Sequence, residues 1–296
     1  MTQAHSLPER VATPADIQII ESASEVAHTP CGDGTLIWHI WNKPPAGTDA
    51  SEPPVLLLHG GSGSWNHWVR NISALVRDGH CVYVPDLPSF GASASLPSGA
   101  DADAMPEWIE TGLQVLTGSQ AFSVVGFSFG AMVATLLASR FPTRAARLVL
   151  VGSPALSVQP LRSLGLRAWN HLPAGEARNA VIAQNMMVLM LSSEDTLDEM
   201  TLALQVDNLS HDRLHGRRLS QTDLVARALP TIQCRVWGIW GHDDALYVGR
   251  QDSIAPVLAN APHFKTLSLI AGAGHWVQYE QSEAFDAALK AALTAT

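Results

Sequence analysis

Short apolar runs alternate along the chain with longer stretches whose apolar residues recur three and four positions apart. Residues 26–30 and 35–41, separated by Gly32-Asp33-Gly34, predict an opening antiparallel hairpin. Six further runs follow at 54–58, 80–85, 122–125, 147–151, 235–240 and 265–270. Each is rich in Val, Leu, Ile or aromatics and bounded by Gly, Pro or Asp, the pattern of strands buried on both faces. Between them, 67–78, 105–117, 129–141, 251–259 and 282–292 predict helices. This rhythm belongs to the α/β class: a mostly parallel twisted sheet with helices on both faces.

The rhythm breaks once, after the sixth strand. Residues 155–229 hold no strand pattern, only helix-like runs at 164–170, 178–191 and 195–208, punctuated by Pro160, Pro173 and Gly175. An insertion of that length, carrying its own apolar residues, is expected to be a helical lid. The expected organisation is therefore a core of 1–154 and 230–296 with a cap of 155–229.

The candidate chemistry starts at Gly126-Phe127-Ser128-Phe129-Gly130, a G-x-S-x-G pentapeptide between an apolar strand pattern and an Ala-rich helical run. A serine forced into a tight strand-to-helix bend projects its hydroxyl off the sheet, and glycines two positions either side let neighbouring backbone pass closely. A hydroxyl is a poor nucleophile near neutral pH, so it needs a base within reach, and the base needs a partner that fixes its tautomer. His275, in Gly272-Ala273-Gly274-His275-Trp276 after the last strand, is the candidate base. Two adjacent aspartates, Asp243 and Asp244, follow the preceding strand and compete for the acid role. After the strand at 54–58 comes His59-Gly60-Gly61-Ser62-Gly63-Ser64-Trp65, a loop able to present free N–H groups. Gly60 or Gly61 from that loop, with Phe129 N–H at the helix start, would form an oxyanion hole. The loop has neither the Lys of a P-loop nor the full G-x-G-x-x-G spacing, which argues against a nucleotide.

Composition narrows the partner. The 296 residues are 47% hydrophobic and 15% charged, and the net charge of -9 repels nucleic acid and anionic membrane surfaces. A small-molecule substrate is expected, with no nucleic-acid or membrane partner. Residues 1–20 carry Pro8, Glu9, Pro14 and Asp16 and lack the apolar block of a secretory signal. Cys31, Cys81 and Cys234 form no C-x-x-C pair and read as buried thiols of a reducing compartment, so a cytoplasmic location is expected. The sequons at Asn71 and Asn208 carry little meaning in that setting.

Taken in order, Leu58-His59-Gly60-Gly61, Asp86-Leu87-Pro88-Ser89-Phe90-Gly91-Ala92-Ser93, the Ser128 pentapeptide, the 241–244 loop and Gly274-His275-Trp276 resemble the α/β-hydrolase superfamily from Val26 onward. In sequences of this type the acid lies three residues beyond the glycine, which selects Asp244, with Asp243 as the alternative. The resemblance implies a canopy of helices over the site and a serine hydrolase that needs no metal or organic cofactor. Residues 274–280, Gly-His-Trp-Val-Gln-Tyr-Glu, are most similar to the branch of carbon–carbon bond hydrolases of aromatic ring cleavage. Those enzymes commonly place Asn before the serine, where this chain has Phe127, and the difference shifts weight to an ordinary ester. The expected reaction is cleavage of a small carboxylic ester, lactone or thioester through an acyl-enzyme. The alternatives are carbon–carbon hydrolysis of a ring-cleavage diketone and, in another class, a non-catalytic small-ligand receptor on the same fold.

Other residues carry weaker signals. Trp65, Phe127 and Trp276 are candidate pocket residues, and His67, Trp68 and Arg70 share a segment with Trp65. Met186, Met187 and Met190 form an apolar stripe suited to lid packing or to a plastic substrate surface. His211, Asp212 and His215 have helical metal-pair spacing but no evident third ligand. Arg162, Arg167 and Arg178 could reach a substrate carboxylate, and Asp195, Asp198 and Glu199 read as a solvated helix start.

Overall fold

The computed structural model describes residues 7–45, 52–158 and 164–295. Strands β1 (Glu25–Cys31) and β2 (Gly34–Trp41) form the expected hairpin, followed by β3 (Val55–Leu58), β4 (Val82–Pro85), β5 (Phe122–Phe127), β6 (Ala145–Val151), β7 (Arg235–Gly241) and β8 (Phe264–Ile270). They make one sheet in the order β1-β2-β4-β3-β5-β6-β7-β8. Pairing is antiparallel from β1 to β2 and from β2 to β4, and parallel across the rest.

Successive strand residues face opposite sides, so Leu56 and Leu58 enter one core while Val55 and Leu57 enter the other. That is why β3, β4 and β5 are apolar at nearly every position, Ser123 being the polar exception: each is buried throughout its length. The edge strand β8 differs, with only Ile270 buried. The helices are α1 (Pro14–Ser22), α2 (Ile72–Arg77), α3 (Pro106–Thr117), α4 (Phe129–Arg140), α5 (Glu176–Leu189), α6 (Glu199–Ser210), α7 (Leu224–Ala228), α8 (Ile254–Leu258), α9 (Val277–Glu280) and α10 (Ser282–Thr294). Ile109, Leu113, Ala131, Met132, Val225 and Ile254 bring α3, α4, α7 and α8 onto the first core. Ile20, Ile72, Phe285 and Leu289 bring α1, α2 and α10 onto the second, where Ile182 and Met186 of α5 and Met200 and Leu204 of α6 join them.

Several expectations need correction. Helix α1 was not anticipated, although Thr13 and Asp16 form a reciprocal capping box with Pro14 at the first turn. The helix expected over 67–78 is a 3-10 turn, Trp65–Trp68, and then α2. All four residues of the turn are buried, whereas a continuous amphipathic helix would bury one face only. Residues 251–259 likewise divide into a 3-10 turn, Gln251–Ser253, and α8.

Between β6 and β7 the chain leaves the sheet and builds α5, α6 and α7. Residues 164–170 are not helical; Arg167 instead exchanges two backbone hydrogen bonds with the Asn185 side chain. The run expected over 195–208 starts as a 3-10 turn, Glu194–Thr196, before Asp198 caps α6 through Thr201 N–H. No helix among the described residues is long and apolar enough to cross a membrane.

Candidate active site

The parallel strands bring three chemically active side chains to their C-terminal ends. Ser128 stands between β5 and α4 with φ 50° and ψ -115°, a conformation costly for a non-glycine residue and held here by Ser128 N–H donating to Val151 O at 2.8 Å. The neighbouring glycines are dictated by space. A Cβ on Gly126 would lie 2.7 Å from Ala131 Cα, and one on Gly130 would lie 2.7 Å from the Leu58 carbonyl carbon. The hydroxyl therefore projects from the sheet edge, with α4 directed away behind it.

His275 follows β8, and its Nε2 is 2.8 Å from Ser128 Oγ. Its Nδ1 is 2.9 Å from Oδ2 of Asp244, which is fully buried after β7. The other carboxylate oxygen of Asp244 accepts Leu246 N–H at 2.9 Å. A carboxylate can only accept, so His275 carries its proton on Nδ1 and turns the Nε2 lone pair to the hydroxyl. The Asp243 side chain is half exposed, and its partner among the described residues is His242, at 3.0 Å.

The loop after β3 divides its two glycines. His59 Nε2 accepts Leu87 N–H at 2.8 Å, so its Nδ1 carries the proton and donates to Gly60 O at 2.7 Å. Gly60 N–H donates to His67 Nδ1 at 3.3 Å and is thereby turned away from the serine. In a trans peptide the N–H opposes the carbonyl, so Gly61 N–H points away from His59. Among the described residues neither Gly61 N–H nor Phe129 N–H has a hydrogen-bond partner. Burial holds His59 down at about 4 and His67 well below the ordinary histidine range, so both rings stay neutral.

A cavity of about 180 Å³ opens on Ser128 and His275. Phe127, Phe129, Leu189, Met190 and Leu246 supply its apolar wall, and Gly61, Arg217 and Ser220 add polar groups. The family model described as alpha/beta hydrolase fold matches residues 53–282.

This chain belongs to the α/β-hydrolase family.

The hydrolase is 26% identical over 246 residues to 2-hydroxy-6-oxo-6-phenylhexa-2,4-dienoate hydrolase of Burkholderia cepacia, covering 78% of this chain and 84% of that protein. It is 25% identical over 288 residues to a 2-hydroxy-6-oxononadienedioate/2-hydroxy-6-oxononatrienedioate hydrolase of Cupriavidus pinatubonensis, covering 92% and 96%. Among solved structures it resembles a thermophilic esterase from Thermogutta terrifontis with TM-score 0.66 and 22% identity, covering 90% of this chain and 96% of that one. A carboxylesterase from Bacillus subtilis matches with TM-score 0.69 and 20% identity, covering 92% of each chain.

The other candidate residues of the hydrolase are dispersed. Trp65 packs against His39 and Trp41 and lines a separate cleft of about 660 Å³ beside α1 and α6. Trp276 is fully buried, stacked on Tyr279 with its indole N–H donating to His67 O. Neither lines the Ser128 cavity; of the three expected pocket aromatics, Phe127 does. Met190 reaches the cavity wall while Met186 packs into the core. Asp212 pairs with Arg217 and Ser62, and His211 with Asp207. Arg178 stacks over Trp169, and Arg162 lies outside the described residues. Arg217 was missed by the sequence reading, because nothing in the Arg-rich 213–218 stretch distinguishes it before the insert folds back over Gly61.

Proposed function

We propose that Ser128, His275 and Asp244 act as nucleophile, base and acid in hydrolysis of a small carboxylic ester, with residues 155–229 as the cap over the site. The reading is carried by the hydrogen-bond chain from Ser128 Oγ through both nitrogens of His275 to Asp244, beside a small, largely apolar cavity. His275 Nε2 takes the serine proton as Oγ attacks the ester carbonyl. The oxyanion forms opposite Gly61 N–H and Phe129 N–H, the two donors without partners, while Gly60 N–H is occupied. Collapse breaks the carbon–oxygen bond, and the departing alkoxide takes the proton from Nε2. Water, deprotonated by the same nitrogen, then adds to the acyl-enzyme, and its collapse releases the acid and returns the proton to Oγ. Asp244 keeps the imidazole in the productive tautomer and stabilises its charged form.

Size and polarity favour a short acyl group. The cavity of about 180 Å³ is smaller than the roughly 300–1,000 Å³ that drug-sized ligands require. Leu189, Met190 and Leu246 offer apolar contact and no hydrogen bonds. The second reading, carbon–carbon hydrolysis, is favoured by the dienoate-hydrolase relatives and by Arg217, a cation on the cavity wall suited to an acidic substrate. The wall residue beside the serine is Phe127, which offers no hydrogen bond to a dienolate. Turnover of p-nitrophenyl acetate and butyrate by the wild type and Ser128→Ala, set against a ring-fission dienoate, is the deciding assay. Ester turnover with a burst of one nitrophenol per site, lost in Ser128→Ala, is expected. Dienoate turnover far above ester turnover would select the second reading, and unchanged ester turnover in Ser128→Ala would exclude both.

A further inference from the structure

We propose that His67 is a positioning residue for the oxyanion donor Gly61 N–H, and that Gln205 of α6 carries the position of the cap to it. The inference rests on the hydrolase reading above and adds two residues that touch no reacting atom.

The Gly60–Gly61 peptide is clamped from both ends. His59 donates to Gly60 O, and His67 Nδ1 accepts Gly60 N–H. With the peptide unit planar, these two contacts leave Gly61 N–H one direction, and Gly61 is the loop glycine that lines the Ser128 cavity. The His67 ring is itself immobilised. It is 1% exposed, with Trp276 at 4.9 Å, Phe127 at 5.6 Å and His59 at 6.1 Å between ring centroids. Gly63 closes the remaining side, where a Cβ would lie 2.7 Å from His67 Nε2.

An accepting Nδ1 places the His67 proton on Nε2. That donor is buried and has no partner among the described residues, and the same holds for Gln205 Oε1. The two are complementary, one donor and one acceptor, and both side chains hold the same loop, His67 at Gly60 N–H and Gln205 at Ser62 O. Gln205 Nε2 meanwhile donates to Ser62 O, one residue beyond Gly61, at 3.4 Å. A small advance of α6 would complete the Nε2–H to Oε1 bond, satisfying both orphaned groups. The oxyanion loop would then be clamped on both sides by one amide of the cap.

A neutral ring is a requirement of this arrangement, since a protonated Nδ1 would oppose Gly60 N–H. Burial supplies it, reinforced by the nearby rings of His59 and His275. The charged groups around this cluster are Asp212 and Arg217, paired with each other, and Asp244 behind His275.

The test compares His67→Phe, which fills the ring volume without an acceptor, with His67→Asn, whose Oδ1 stands close to the place of Nδ1. Gln205→Leu probes the cap side. Each is assayed on p-nitrophenyl butyrate, normalised to active sites counted with a fluorophosphonate, and for inhibition by an alkyl trifluoromethyl ketone, which forms a tetrahedral adduct. A donor misplaced by about 1 Å costs on the order of 100-fold. His67→Phe is therefore expected to lose about 30- to 100-fold in kcat, with KM within about 3-fold and ketone affinity falling in parallel. His67→Asn is expected to recover most of that loss, and Gln205→Leu to lose about 3- to 10-fold by the same pattern. Wild-type kcat and ketone affinity in His67→Phe would overturn the proposal. So would an equal loss in His67→Asn, or a fall confined to the number of active sites. If Ser128→Ala still turned over the ester, the hydrolase reading would have failed; if it were inactive while His67→Phe behaved as wild type, only the clamp would have failed.

Discussion

Replacing Asp244 by Asn changes one atom and should reverse the proton on His275. Among the described residues the Asp244 carboxylate has two partners, His275 Nδ1 at Oδ2 and Leu246 N–H at Oδ1. In the Asn variant the single oxygen is needed by Leu246 N–H, a buried donor with no other partner among the described residues. The NH₂ group then faces His275 Nδ1, which must accept. The imidazole proton moves to Nε2, and Nε2–H donates to Ser128 Oγ instead of accepting from it. A base in the wrong tautomer costs about 10⁴ in kcat, or about 5.5 kcal/mol at 1.36 kcal/mol per tenfold. Asp243 provides the control: its half-exposed side chain pairs, among the described residues, with exposed His242, so Asp243→Asn should alter kcat by less than about 2-fold. The assay is kcat and KM on p-nitrophenyl butyrate with sites counted by fluorophosphonate labelling and folding followed by circular dichroism. Equal losses in the two variants, or a loss below about 10-fold in a folded Asp244→Asn, would refute the tautomer argument.

Burial pushes Asp286 up to about 7, against its hydrogen bond from Asn71. The folded state therefore holds a proton that the unfolded chain releases near 3.8, and stability should fall as pH rises from about 4 to 7, by at most about 4 kcal/mol from this group. Asp286→Asn should flatten that decline in melting temperature, and an unchanged slope relative to wild type would disprove it. Gly130→Ala should lower melting temperature by the equivalent of about 1–3 kcal/mol or prevent folding, because its Cβ meets the backbone of Leu58. Met190→Ala should enlarge the cavity and raise kcat/KM for hexanoate relative to acetate esters about 10-fold; an unaltered chain-length profile would remove Met190 from the acyl wall.

The legible parts of this chain were those where one local rule and the tertiary fold agree. Strands β3 to β7 stood out because burial on both faces demands apolar residues at nearly every position, the serine because it directly follows a strand, and the histidine because it sits in the glycine-rich loop that follows the last one. Asp244 and Asp243 are equal by local chemistry; which one turns inward is decided by the path after Gly241, a glycine whose Cβ would meet the Ala273 backbone. The same limit applied to Gly60 and Gly61, separated only when His67 returns from seven residues downstream to take the Gly60 N–H. The segment 67–78 misled because Trp68, Ile72, Leu75 and Val76 have helical spacing while the fold buries all of Trp65–Trp68. Helix α1 carried a readable signal, Thr13-Pro14-Ala15-Asp16, and was recoverable from capping chemistry alone.

Glu280 closes α9 and accepts N–H groups from Gly274 at 2.5 Å, Ser192 at 2.8 Å and Ser193 at 3.2 Å, while Trp276 N–H donates to Met190 O at 2.8 Å. Mechanically, the loop that bears His275 and the chain leaving α5 are riveted into one part. A swing of that end of the insert would carry the imidazole with it and uncouple it from Ser128. Among the described residues Arg217 and Ser220, which also line the cavity, hydrogen-bond within their own segment and to Ser62 rather than to the histidine loop, so a movement there would leave the imidazole in place.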